Sequence, residues 1–159
     1  MRDFDEIFKE KLYECDKHCQ KIEDSKEYLK DFMPFELESY LKIDNITSSF
    51  IDQLIFRFSK LQDTIGESIL KSILILEKEN VKKMTFLDIL NRFEELELID
   101  KSAWLRLREI RNEIAHEYSF NQLEVVDNIN LIYSASDELV DIYQKIREYI
   151  YTKIEETLL

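Results

Sequence analysis

One glycine and one proline in 159 residues limit this chain more than any other feature of its sequence. Sandwiches, barrels and doubly wound sheets all spend several glycines and prolines on their tight connections. Gly66 and Pro34 alone therefore leave an all-α chain as the expected fold. The same shortage removes the Walker loop and the dinucleotide fingerprint, since each needs at least two nearby glycines to bring backbone N–H groups up to a phosphate. Apolar residues make up 45% of the chain, with ten Phe, eight Tyr and one Trp, which is the content of a folded core. The length suits one domain, taken as 1–159.

Helical periodicity divides that domain. Phe4, Phe8, Leu12, Cys15, Cys19, Ile22, Leu29 and Met33 form one helical stripe that stops beside Pro34, predicting a first helix over about 3–32. Ile46, Phe50, Leu54, Phe58, Leu61, Ile65, Ile69, Ile73 and Leu76 predict a second helix, capped by Asp44 or Asn45 and ending near Glu79 and Asn80. Such a helix would run about 50 Å, with a bend expected at Gly66. Thr85 and Asp88 resemble a capping box opening a short third helix with Phe86, Ile89, Leu90 and Phe93. Asp100 or Ser102 caps a fourth, with Trp104, Leu107, Ile110, Arg111, Ile114 and Ala115, and a long fifth carries Val125, Ile129, Ile132, Leu139, Ile146, Ile150 and Ile154. The expectation is an antiparallel up-and-down bundle of three long and two short helices. Phe56, Leu70, Leu74, Tyr133, Tyr143, Tyr149 and Tyr151 fall off the main stripes, so they belong either to a deeper core or to a face that pairs with a second copy.

Lys and Arg total 22 against 34 Asp and Glu, a net charge of −12 that repels nucleic-acid phosphates at long range. Any contact with nucleic acid must then be a local basic site. Cys15 and Cys19 are the only cysteines, and a bridge between them would constrain almost nothing in the unfolded chain, so they read as reduced thiols of a cytosol. The opening residues lack the apolar core of a signal peptide, and no apolar run nears the roughly 20 residues that span a bilayer. A cytoplasmic protein with no membrane partner is expected.

The most informative stretch runs from Leu107 to Tyr118. Residues 101–116 hold Lys101, Arg106, Arg108 and Arg111 against Glu109 and Glu113, and His116, one of two histidines in the chain, closes the segment. Phosphodiester chemistry needs such a set. Arginine binds phosphate oxygens through a rigid fork and stays charged while negative charge grows on phosphorus. Histidine, with an ordinary pKa near 6.5, can take or give a proton at cellular pH. Arg106 and Arg108 are candidate RNA contacts. The bland alternative is that Arg111 pairs with a carboxylate and His116 merely ends a helix. On an ideal helix the two would diverge by about 140°, so they converge only if the helix ends near His116 or a second subunit supplies one of them.

Arg111-Asn112-Glu113-Ile114-Ala115-His116, continued by Glu117-Tyr118, resembles the R-x4-H-x-Y pattern of HEPN proteins of the HepT toxin group, including the polar residue after the arginine. The helical layout, with Phe58 to Gly66 upstream, is also similar to that group over most of the chain. The resemblance implies a homodimeric endoribonuclease with no metal or other cofactor, acting on RNA such as tRNA, with its two motifs facing each other across the dimer. It further implies Arg111, His116 and Asn112 as catalytic residues and a partner MntA-type nucleotidyltransferase antitoxin that adenylylates Tyr118. A different class stays open: a non-catalytic helical module that presents substrate or nucleotide to such a partner.

Rival constellations are weaker. Glu113 and His116 are formally half of a di-iron bundle site, but the second half is missing. Cys15, His18 and Cys19 share one helical face without a fourth zinc ligand, and the cysteines fit the apolar stripe. Glu94, Glu95 and Glu97 read as a solvated face.

Overall fold

The computed structural model describes residues 3–114 and 121–153, and these are helical with no strand among them. The elements are α1 (Phe4–Leu29), continued by a 3-10 turn (Lys30–Phe32), α2 (Leu37–Tyr40), α3 (Asn45–Thr64), a π-helical turn (Ile65–Ile69), α4 (Leu70–Leu76), α5 (Phe86–Glu95), α6 (Lys101–Ile114) and α7 (Gln122–Lys153). His116, Tyr118, Ala115 and Ile154 lie outside the described residues. No helix of the described residues is long and apolar enough to cross a membrane.

Helix starts follow local chemistry. Asp44 accepts a hydrogen bond from the Thr47 backbone at 2.8 Å. Thr85 and Asp88 form the reciprocal capping box, at 3.2 and 2.8 Å. Asp100 precedes α6 and accepts from the Ser102 backbone at 3.1 Å. Each satisfies an N–H that the first helical turn cannot pair internally. Helix ends meet the glycine shortage differently. α4 and α5 both close with a left-handed residue, Lys78 (φ 64°) and Glu97 (φ 59°), positions where glycine is usual. The Glu79 backbone bonds Leu74 and the Leu98 backbone bonds Phe93, the pairing that closes such an end.

The contacts between helices fix their directions. Tyr28 of α1 stacks on Phe50 of α3, Gln53 donates to Ser25, and Arg57 bonds His18, so position rises along α3 as it falls along α1. α7 runs opposite to α1 in the same way, with Tyr143 donating to the Leu12 carbonyl and Asp16, and Lys26 paired with Asp137. α6 runs opposite to α3: its Arg111 meets Asp63, and its Trp104 packs beside Gly66. α2, absent from the sequence expectation, docks near α7 through the Asn130 amide, which both accepts from and donates to the Phe35 backbone.

The core runs through all the long helices, with Trp104, Tyr143, Phe8, Phe58 and Phe93 its largest fully buried side chains. Leu70, Leu74 and Tyr143 are buried in it, which settles the deeper-core reading for these three off-stripe residues, whereas Phe56 (52%) and Tyr151 (67%) are exposed. Gly66, where a bend is expected, lies in a π-turn, and the reason for that turn is in the spacing. Leu61, Ile65, Ile69 and Ile73 step by four, slightly more than one α-helical turn, and the wider turn keeps all four at 0% exposure. At the start of α3, where no such turn intervenes, Ile46 of the same stripe is carried out to 61% exposure.

Candidate functional site

The π-turn and α6 together wall a cleft of about 470 Å³ lined by Gln62, Asp63, Gly66, Glu67, Phe86, Trp104, Arg108, Arg111 and Asn112. On α6, positions 104, 108, 111 and 112 fall on one helical face, which is why these side chains reach the cleft together. Across it, Gly66 makes close packing feasible. A Cβ there would stand 3.2 Å from Trp104 Cζ2, so any larger residue would push on a fully buried ring. The Trp104 Nε1 hydrogen finds no partner among the described residues.

Arg111 is the best-positioned charged group of the cleft. Its Nε donates to Asp63 Oδ1 at 2.7 Å and its Nη2 to Asp63 Oδ2 at 2.9 Å, a two-pronged pair with about a quarter of each side chain exposed. The hydrogen bond to Asp63 raises the guanidinium pKa above its ordinary value, burial opposes this, and the charges of Asp63 and Glu67 add to it. The carboxylate pairing of the bland alternative is thus present. It fixes the guanidinium plane and leaves Nη1 without a partner among the described residues.

The other predicted site residues divide. Arg108 lines the cleft with its guanidinium 5.0 Å from the Phe86 ring centre, and Asn112 lines it beside Arg111, exposed. Arg106 points elsewhere, paired with Glu138 of α7, so it does not share the cleft. His116 and Tyr118, outside the described residues, follow the last described residue of α6, Ile114, by two and four positions.

The sequence reading missed Asp63, Gln62 and Glu67. Asp63 and Arg111 are 48 positions apart, and no local pattern couples them. The available signal was polar Gln62 next to core residue Leu61, just before the run of fours: Gln62 is only 4% exposed yet lines the cleft.

Cys15 and Cys19 are core residues whose thiols are pushed up by burial, Cys19 to about 12, so both stay protonated. His18 turns to Arg57, whose Nη1 lies 3.0 Å from its Nδ1; burial first, then the Arg57 charge, lowers the His18 pKa. Among the described residues no group of three or more His, Cys, Asp and Glu is placed to hold a metal ion.

The fold defines an all-α helical protein with a polar cleft between its π-turn and α6. No family model matches the chain, and no curated protein and no solved structure is similar enough to it to count as a match.

Proposed function

We propose that the chain is an RNA endonuclease of the HepT kind and that Arg111 binds the scissile phosphate. The supporting observation is the held guanidinium: Asp63 takes Nε and Nη2, so a phosphate oxygen would meet Nη1 at the cleft, with Asn112 beside it. In the reaction the substrate 2′-oxygen attacks the neighbouring phosphorus, the P–O5′ bond breaks, and the products are a 2′,3′-cyclic phosphate and a free 5′-hydroxyl. The proton leaves the 2′-hydroxyl for a base and another reaches the 5′-oxygen from an acid. His116 fills one role, and His116 of a second copy fills the other in a homodimer. Arg111 stabilises the charge that builds on phosphorus, and no metal takes part.

A partner MntA-type nucleotidyltransferase would switch the enzyme off by adding AMP to Tyr118. A phosphodiester charge two residues beyond His116 would compete for Arg111 as RNA does. The non-catalytic alternative draws on the same pair, because a guanidinium fixed by Asp63 with Nη1 toward the cleft also suits an anchor for nucleotide phosphates.

Purified protein incubated with tRNA and other RNAs in EDTA should leave 2′,3′-cyclic phosphate ends, and His116→Ala should abolish them. Uncut RNA, or cutting that survives the substitution, rejects the nuclease. Nucleotide binding that depends on Arg111 without any cutting supports the module.

A further inference from the structure

The cleft holds more than a phosphate clamp needs. Its charged groups balance, Asp63 and Glu67 against Arg108 and Arg111, so beyond Arg111 it offers little to a second phosphate. Its least expected member is Gln62, 4% exposed, whose side-chain amide has no hydrogen-bond partner among the described residues although it lines the cleft. Its amide atoms open onto the cleft, since Trp104 Nε1 is the only buried side-chain polar atom without a partner among the described residues, and so they are available to a ligand there. Glu67, one π-turn further along, lines the same cleft and makes no hydrogen bond or ion pair among the described residues. Both positions line the cleft, Gln62 near the end of α3 and Glu67 within the π-turn. Phe86, with the Arg108 guanidinium over one face of its ring at 5.0 Å, adds an aromatic wall of the kind on which bases stack. The volume, about 470 Å³, lies within the range of small-molecule sites.

We infer that the cleft is a guanine site, in which Gln62 and Glu67 together read the base edge while Arg111 takes the attached phosphate. A side-chain amide followed by a carboxylate presents one donor and then acceptors. Guanine alone among the four RNA bases presents the complement: the O6 acceptor, then the N1–H and N2–H2 donors. The amide N–H meets O6, the amide oxygen takes N1–H, and Glu67 takes an N2 hydrogen. Uracil and cytosine would turn an acceptor oxygen toward Glu67, and adenine a C–H. Resting on the nuclease reading for its biological substrate, this places a guanosine next to the phosphate that is cut.

Calorimetric titration of the full chain with GMP, IMP, AMP and UMP tests the site without any cleavage. IMP lacks only the 2-amino group, so GMP should bind roughly tenfold more tightly than IMP, with AMP and UMP weaker still. In Glu67→Ala the GMP to IMP ratio should fall to about one. That ratio is taken within one protein and so does not depend on how much of the variant folds. GMP and IMP binding alike to wild type, no GMP binding, or an unchanged ratio in Glu67→Ala would each overturn the guanine site, whether or not RNA is cut. RNA left uncut in EDTA overturns the nuclease reading, whether or not GMP binds.

Discussion

Single residues carry both the economies and the charges of this chain. With one glycine available, the ends of α4 and α5 place Lys78 and Glu97 in the left-handed region, which costs a residue with a Cβ about 1–2 kcal/mol. Glu97→Gly should therefore raise the free energy of unfolding by up to about 1 kcal/mol after the larger entropy loss of glycine, seen as a higher denaturant midpoint; a lower midpoint contradicts it. His18 gives a pH effect. Its native pKa lies below the unfolded 6.5, so the unfolded chain binds more protons between those values, and the contribution is fully present above about 6.5 and lost as pH falls toward the native value. Wild type should lose more stability than His18→Gln between pH 7 and pH 5, and parallel curves would remove the effect. At this scale the sequence was legible where partners are local, as in the caps at Asp44 and Thr85. It was silent where they are distant, as for Asp63 and Arg111, because charge pairing across helices leaves no periodic trace.

The helices were legible as long as apolar spacing followed the α-helical period. α5, α6 and α7 begin within a few residues of their expected starts, and the second long helix carries a wider π-turn at the position where a bend is expected. A run of fours from Leu61 to Ile73 already implied it, since an unbroken α-helix would have rotated that stripe out of the core, as happens to Ile46. α2, four residues long, has too little pattern to be read from sequence. Gly66 joins the π-turn to the cleft. Gly66→Ala gains about 1 kcal/mol of helix propensity but sets a Cβ 3.2 Å from the fully buried Trp104 ring, which must give by a few tenths of an ångström, and overpacking costs about 1–3 kcal/mol. A net loss of roughly 1 kcal/mol in denaturant unfolding is expected, and a stabilised variant would show that Trp104 can move.

For the whole molecule, a net charge of −12 repels RNA at long range, so the proposed RNA contact rests on Arg108 and Arg111 of the cleft, and salt should weaken that contact. Cleavage with one motif histidine per chain calls for two chains, and the exposed Phe56 and Tyr151 are apolar surface that a second copy would cover. Sedimentation should give a dimer at micromolar concentration. Because the proposed site takes His116 from both chains, a mixed dimer of one wild-type and one His116→Ala chain should lose cleavage, whereas full activity in that dimer or in a monomer excludes the shared site. What composition and periodicity delivered was the all-α architecture, while the cleft needed the fold, because its walls come from segments some 40 residues apart whose meeting no single stretch encodes. The most direct measurement is the single-turnover rate of RNA cleavage in EDTA by wild type and by Arg111→Ala at equal folded concentration. Losing the guanidinium proposed to hold the phosphate should slow cleavage by about a hundredfold or more, and an Arg111→Ala rate within threefold of wild type would contradict the assignment of this cleft to RNA cleavage.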